Sequence, residues 1–177
     1  MTSGKFSSPS PVNEKILEYS SNSSERKSLK RELEEQTNNP AQVPIVINGK
    51  RIFHENPQSI TMPHNKNKAI AYSQNAHQED IDSAIQVCVQ SQKEWTNTPW
   101  EERASIFLKA ADLIAGPYRQ RINAATMLSQ SKTCFQAEID AACELADFLR
   151  FNVKFAEKIY EEQPLISPYG QWNRSSP

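Results

Sequence analysis

Glycine is scarce in this sequence, and its scarcity excludes a class of binding site. Only four of the 177 residues are glycine, and no two are close enough to form a loop around a phosphate. G-x-G-x-x-G and P-loop motifs are therefore absent. Charge of one sign is also lacking, because 20 basic and 21 acidic residues give a net charge of −1, without the clustered basic excess of nucleic-acid-binding proteins. The longest apolar run is far shorter than a membrane span, so we expect neither a nucleic acid nor a membrane as partner.

Cysteine and histidine are too few and too scattered to form a local catalytic motif. The three cysteines contain no C-x-x-C pair and lie at positions 88, 134 and 143. Their odd number favours buried free thiols in a reducing compartment. A nucleophilic cysteine needs a base within reach, and none of the histidines at 54, 64 and 77 is near a cysteine in the sequence. We expect each histidine to be a single surface residue, and a base from a distant part of the chain is the alternative.

Residues 1–42 are predicted to be an arm with one short surface helix. The first 24 residues are rich in Ser, Pro and Asn, which is typical of a disordered or extended segment, and they resemble neither a secretory signal nor a good mitochondrial presequence. Strong helix formers follow a candidate cap at Ser24, and only Leu29 and Leu33 can pack on something larger. Residues 37–42 are predicted to be a linker.

Strands and then helices are predicted after the arm, which makes the fold class α/β. Asn48-Gly49 lies between two β-branched runs and predicts a type I′ hairpin over residues 43–53. Thr98 is predicted to cap a helix in which Pro99 takes the first position and Glu101 completes a capping box. The other expected elements are strands at 60–62 and 69–73 and helices at 77–95, 100–115 and 117–128. Ile81, Ile85 and Trp95 share the mostly apolar face of the helix at 77–95, and Trp95 is expected to be a core or interface anchor. The helix at 100–115 is expected to bury Ile106, Phe107 and Leu113.

A long helix from Thr133 to Tyr160 is the strongest helical pattern in the sequence. Its apolar residues recur at steps of three and four and share one stripe: Phe135, Ile139, Ala142, Ala146, Leu149, Val153, Ala156 and Tyr160. The neighbouring stripe carries Asp140, Glu144 and Asp147, either as a solvated flank or as a polar site at the edge of the core. No histidine accompanies them on this helix, so we expect no metal site. A partly buried Glu144 would need a cation, which a protein group or a ligand ammonium could supply.

Several blocks of the sequence resemble a known enzyme family. They include VPIVINGKRI, KEWTNTPWEERASIFLKAADLIAGPYR, FQAEIDAACELADFLRFNVKFAEKIYEEQP and GQWNR. Together they resemble the N-terminal part of the Δ1-pyrroline-5-carboxylate dehydrogenases, also called L-glutamate γ-semialdehyde dehydrogenases, of the aldehyde dehydrogenase superfamily, and the fungal members in particular. The resemblance implies that residues 43–177 are an incomplete cofactor-binding domain, with the hairpin and short strands beside helices of a Rossmann-type fold.

The resemblance also implies a reaction. It is the NAD-dependent oxidation of L-glutamate γ-semialdehyde to L-glutamate in proline degradation, by a homo-oligomer in the mitochondrial matrix. The family's oxyanion asparagine, nucleotide-binding turn, general base and nucleophilic cysteine match no segment here, so the resemblance implies no catalytic, NAD-binding or metal-binding residue in this chain. We therefore expect the 177 residues to be an inactive fragment. The alternative is a non-catalytic helical interaction protein that kept the same scaffold.

One functional position carries over by resemblance. Glu144, within CELADF, matches a family glutamate that faces the substrate pocket and meets the amino group of glutamate semialdehyde. The resemblance therefore implies a substrate-binding role for Glu144. An ammonium partner would also keep such a carboxylate ionised beside the apolar stripe.

Overall fold

The computed structural model describes residues 7–175, in which the expected order of strands and helices is present. The helices and strands are α1 (Ser24–Asn38), β1 (Ala41–Val43), β2 (Ile45–Ile47), β3 (Lys50–Ile52), β4 (Gln58–Met62), β5 (Asn65–Ser73), α2 (Gln78–Asn97), α3 (Trp100–Ala115), α4 (Arg119–Gln130), α5 (Cys134–Ala137), a π-helical segment (Glu138–Cys143) and α6 (Glu144–Glu161). Residues 7–23 and 162–175 contain neither helix nor strand. None of the described helices is long and apolar enough to cross a membrane.

The predicted hairpin is confirmed. β2 and β3 pair antiparallel with Ile47 opposite Lys50, and the two turn residues, Asn48 and Gly49, have φ values of 49° and 71°. This left-handed conformation is what a type I′ turn requires. The turn sequence therefore determined the register of the pair.

A three-stranded sheet lies beside the hairpin in the order β1-β5-β4. The two strands predicted near residues 60 and 70 correspond to β4 and β5, which pair antiparallel. The sequence did not predict β1, where Ala41 pairs in parallel with Ala71 of β5. Residues 41 and 42 were assigned to a linker, but their backbone hydrogen bonds go to β5, and this long-range pairing has no local sequence signal.

Two predicted helix caps are wrong. Ser23, not Ser24, caps α1, and its side chain accepts a hydrogen bond from the backbone N–H of Arg26. Thr98 ends α2 instead of starting α3, because its hydroxyl donates to the carbonyl oxygen of Glu94 at 3.0 Å. Pro99 then occupies the N-cap of α3 without a side-chain bond.

Several of the fully buried side chains of the helices are alanines. α3 packs on α6 and α1 packs on α4, and the fully buried side chains include Ala111, Ala124, Ala142 and Ala146. Small side chains let helix axes approach closely. The prediction that α3 buries its large apolar residues is wrong for the described chain, because Ile106, Phe107 and Leu113 are exposed. The apolar face predicted for α2 is exposed as well at Ile81, Ile85 and Trp95. Helical periodicity predicts which residues share a face, but not what covers that face.

The predicted long helix is present without a break over residues 134–161, but its hydrogen-bond pattern is not α-helical throughout. Residues 138–143 are π-helical, and the wider turn rotates the residues before it relative to α6. Ala142, Ala146 and Val153 of the predicted stripe are buried as expected, whereas Phe135 is 63% exposed. The predicted stripe assumes α-helical spacing throughout, so it does not predict which residues are buried before the π segment, where Phe135 lies.

Candidate functional site

A buried ion pair lies at the start of the π segment. Glu138 and Asn123 are completely buried and are the largest such side chains among the described residues. Arg119 Nη2 forms an ion pair with Glu138 Oε1. The Tyr19 hydroxyl donates to Glu138 Oε2 at 2.6 Å and the backbone N–H of Leu17 donates to Oε1 at 2.8 Å. Both carboxylate oxygens are therefore satisfied within the protein.

These contacts keep Glu138 ionised. Burial alone raises the pKa of Glu138, but the hydrogen bonds from Arg119, Tyr19 and Leu17 outweigh burial and hold that pKa below its usual value. Burial and the adjacent Glu138 carboxylate raise the pKa of Tyr19 above its ordinary range. The phenol therefore stays protonated and remains a donor to the carboxylate.

The N-terminal arm supplies part of this network. Glu14 bridges two arginines, with its carboxylate oxygens 2.8 Å from Arg119 Nη1 and 2.7 Å from Arg150 Nη1. Farther along α6, the backbone N–H of Ser8 donates to Glu157 Oε2 at 3.1 Å, and the Ser8 hydroxyl donates to the same oxygen. Residues 8–19 of the segment predicted to be disordered or extended thus contact the helices and contribute charged and polar groups to their interior.

Sequence reasoning missed Glu138 and Glu157, although a signal was present. Glu138 precedes the buried Ala142 by four residues, and Glu157 follows the buried Val153 by four. A carboxylate at the spacing of an apolar stripe must be paired when it is buried. Lys154, three residues before Glu157, is a local partner at 2.9 Å. The other partners could not be read from the sequence, because Arg119, Tyr19 and Ser8 are between 19 and 149 residues away from the carboxylates they contact.

Glu144, the predicted substrate-binding residue, lies in an open groove between the arm and α6. The residues that line this groove with it include Asn13, Ile16, Asp140, Asp147, Phe148 and Phe151. Glu144 is exposed, so the need for a cation that partial burial would impose does not arise within the described chain. The wider π turn ends at Cys143, which places Glu144 at the first position of α6.

The other two carboxylates of this stripe have protein partners. Asp140 Oδ2 is 2.8 Å from Lys132 Nζ. Asp147 accepts hydrogen bonds from Asn13 Nδ2 at 2.8 Å and from the backbone N–H of Glu14 at 2.6 Å. Within the described residues, Glu144 is the carboxylate of this stripe without a hydrogen bond or ion pair. It is therefore the member of the stripe that is available to a ligand.

Cys134 and Cys143 are poorly suited to nucleophilic attack, because burial raises the pKa of both thiols. Cys143 lies 3.3 Å from Arg119 Nη2, but burial and the Glu138 carboxylate raise the pKa of Cys143 to about 11. Burial also raises the pKa of Cys134. The expectation of buried thiols is wrong for Cys88, which is exposed on α2.

The expectation of single surface histidines is wrong for two of the three. His54 and His77 stack with ring centroids 4.0 Å apart, and His54 Nε2 lies 2.7 Å from Asp80 Oδ2. The third, His64, is exposed and bonds Ser131 Oγ at 2.7 Å. The pair could not be predicted from the sequence, because it is the path of the chain through β4 and β5 that brings His77, at the start of α2, back to His54.

The described glycines serve turns and helix ends instead of a nucleotide. Gly49 is in the hairpin turn, and Gly170 has a φ of 80° in the exposed C-terminal segment. Gly116 ends α3, where a Cβ would approach the carbonyl oxygen of Asp112 to 2.9 Å. None of the described glycines therefore belongs to a phosphate-binding loop.

Comparison with known proteins places the chain in a family. The sequence pattern of the aldehyde dehydrogenase family matches residues 53–175. The chain belongs to the aldehyde dehydrogenase family. This agrees with the resemblance seen in the sequence blocks and with the mixed arrangement of strands and helices.

Similar aldehyde dehydrogenases share one named activity. The chain is 43% identical over 171 residues to the Δ1-pyrroline-5-carboxylate dehydrogenase of Agaricus bisporus, covering 96% of this chain and 31% of that protein. It is 42% identical over 165 residues to the mitochondrial enzyme of the same name from Dictyostelium discoideum, covering 93% of this chain and 30% of that protein. The chain thus spans about a third of the length of these relatives.

A solved structure shows the same fold. The Δ1-pyrroline-5-carboxylate dehydrogenase of Mycobacterium tuberculosis, bound with NAD and cobalamin, superposes with a TM-score of 0.93 at 42% identity. The match covers 98% of this chain and 33% of that one. The described strands and helices therefore have the arrangement found in the N-terminal part of an aldehyde dehydrogenase.

Proposed function

We propose that this chain is the N-terminal portion of an enzyme that oxidises L-glutamate γ-semialdehyde to L-glutamate with NAD. The supporting observation is the 43% identity that extends over 171 residues to a relative named for this activity, together with the structural match at 42% identity. The reaction would be a step of proline degradation. We expect the whole enzyme to lie in the mitochondrial matrix, since the Dictyostelium relative is named as mitochondrial. We also expect it to be a homo-oligomer, as the family resemblance implies.

Within that enzyme, the chain would supply a scaffold and one substrate contact. The exposed Glu144 carboxylate can accept hydrogen bonds from the α-ammonium group of the semialdehyde, while Asp140 and Asp147 are already engaged with protein groups. A charge-assisted hydrogen bond of this kind orients the substrate as well as binding it. Phe148 and Phe151 in the same groove would pack against the apolar part of the substrate.

The reacting groups would come from elsewhere in the enzyme. Cys143 is close to Glu144 in sequence, but it is buried and its raised pKa, about 11, keeps it as a neutral thiol at physiological pH. NAD, when bound, would accept the hydride from the substrate carbon. The described residues therefore position the substrate and hold the fold.

Exchange of a segment tests the assignment. This chain would replace the matching segment of the Agaricus bisporus relative, and NADH formation would be measured with Δ1-pyrroline-5-carboxylate and with an aldehyde that lacks the amino group. We expect kcat/KM for Δ1-pyrroline-5-carboxylate within about tenfold of the parent enzyme, a change of about 1.4 kcal/mol in transition-state stabilisation. A folded chimera that binds NAD but prefers the aldehyde without the amino group would contradict the proposal.

Glu144→Gln in the same chimera should weaken substrate binding selectively. Replacing a carboxylate that contacts an ammonium removes about 1.5–3 kcal/mol, so we expect KM for Δ1-pyrroline-5-carboxylate to rise about tenfold to a hundredfold while KM for NAD stays unchanged. Glu34→Gln is the matched control, because Glu34 is exposed on α1, and it should change neither constant. Equal kinetics for Glu144→Gln and the parent chimera would assign Glu144 to the solvated surface.

A further inference from the structure

Two histidines and an aspartate from separate parts of the chain meet at the start of α2. One ligating atom from each of His54, His77 and Asp80 lies within 4.8 Å of the others, and this is the one such group of three or more His, Cys, Asp or Glu found among residues 7–175. It lies outside the groove that contains Glu144. We propose that His54, His77 and Asp80 form a binding site for one divalent transition-metal ion of the zinc type.

The three side chains are close enough to share one ion once the two stacked rings turn apart. His54 Nε2 is 2.7 Å from Asp80 Oδ2, and the two imidazoles stack 4.0 Å apart with an angle of 15° between their planes. Zinc binds nitrogen and carboxylate oxygen at about 2.0–2.2 Å, so two of its ligand atoms are at most about 4 Å apart. The lone pair of each nitrogen lies in its ring plane, so the nearly parallel imidazoles must turn until the two planes meet at the ion, which replaces the proton between His54 Nε2 and Asp80 Oδ2. His77 is exposed, so its ring can leave the stacking contact with His54 by turning towards solvent.

The backbone already holds two of the ligands in place. The N–H of His77 donates to Asp80 Oδ2 at 2.8 Å, which fixes the carboxylate across the first turn of α2. The N–H of His54 donates to Gln74 Oε1 at 2.8 Å, which ties the loop after β3 to the end of β5. Asp80 is 8% exposed, while the His54 side chain is 25% exposed. The site is therefore ordered on the protein side and open on the other.

The donor set selects the class of ion. Two imidazoles and one carboxylate suit zinc and its neighbours in the first transition series, whereas magnesium and calcium prefer sites made of oxygen atoms alone. Three protein ligands also leave a coordination position for water. The site would therefore hold an exchangeable ion, in contrast to the closed four-ligand sites that fold small zinc domains.

Zinc titration of the reduced 177-residue chain against a chromophoric chelator tests the site. We expect one zinc ion per chain, with the affinity reduced at least tenfold in His54→Gln and in His77→Ser. Serine is a preferred N-cap residue, so His77→Ser removes the ligand while α2 keeps its cap. Zinc should also raise the melting temperature of the parent chain and not that of His77→Ser, because only a ligand that binds the folded state stabilises it.

Two control variants separate this site from other zinc ligands. His64→Ala and Cys88→Ser each remove an exposed potential ligand that lies outside the cluster, and both should bind zinc like the parent. The proposal is overturned if the parent binds zinc no more tightly than the His54→Gln/His77→Ser double variant, or if binding is lost in Cys88→Ser. Circular dichroism of each variant shows whether it is folded, and Asp80→Asn provides a third ligand variant if one of the histidine variants is not. None of these measurements depends on dehydrogenase activity.

Discussion

Arg119→Met should lower the free energy of unfolding of the chain by about 3–5 kcal/mol. The side chain of Arg119 is 6% exposed and that of Glu138 is not exposed at all, so the substitution leaves a buried carboxylate without its cation. Tyr19, Leu17 and Asn123 would still donate to Glu138, which places the expected loss nearer the lower end of this range. Typical domains have only about 5–15 kcal/mol of stability, so this loss would be a large fraction of the total.

Urea unfolding at neutral pH measures this loss, and two further variants identify its cause. Lys132→Met breaks the exposed pair with Asp140 and should cost less than about 1 kcal/mol. The double variant Arg119→Met/Glu138→Leu should recover part of the loss, because removing both charges eliminates the unpaired buried ion. Equal stability of Arg119→Met and Lys132→Met would contradict the proposed importance of burial.

The pH of the urea experiment matters because Glu138 has a lower pKa in the folded chain than in the unfolded chain. The Arg119, Tyr19 and Leu17 contacts hold the pKa of Glu138 in the folded chain below its ordinary value, about 4.3 when unfolded. Such a group contributes its full stabilisation above the unfolded pKa and loses it as the pH falls through the lower folded pKa. Neutral pH therefore retains the whole contribution of the pair.

Local patterns predicted the elements whose partners are close in sequence. Asn48-Gly49 determines its hairpin because a type I′ turn needs only the residues that form it. Leu29, four residues before Leu33, predicted the face of α1 that packs, and Leu29 is indeed 4% exposed. By contrast, β1 depends on pairing with β5, and the exposed faces of α2 and α3 show that amphipathic spacing does not identify a covering partner.

The candidate site was predicted in part, and its errors share a physical cause. The resemblance singled out Glu144, and the structure leaves it as the unpaired carboxylate of its stripe within the described residues, although its role remains a proposal. The π segment was not predicted, because one additional residue in a turn leaves no mark in composition. The contacts of Glu138 and of the His54–His77 pair are set by chain topology, which periodicity does not contain.

Deleting residues 1–22 should destabilise the chain at least as strongly as Arg119→Met. The deletion removes Glu14, which pairs with Arg119 and Arg150, and Tyr19, which bonds Glu138. Tyr19 is also 6% exposed in a cluster with Leu29 and Ala124, so apolar burial is lost together with the ion pairs. We expect a loss of more than about 3 kcal/mol, because removing a buried core aromatic alone costs about this much and the ion pairs of Glu14 are lost as well.

Truncation at the opposite end provides the matched control for the arm. Residues 164–175, like the arm, contain neither helix nor strand, but their large apolar side chains are at least 85% exposed: Leu165, Ile166, Tyr169 and Trp172. Removing residues 164–177 should therefore change the unfolding free energy by less than about 0.5 kcal/mol, the range of surface changes. Urea unfolding measures the free energy of unfolding of both truncated chains, and a larger loss for the N-terminal truncation would show that the arm stabilises the fold. Equal stability of the two truncations would contradict the stabilising role of the arm, because Glu14 bridges Arg119 and Arg150 whereas the large apolar side chains of residues 164–175 are exposed.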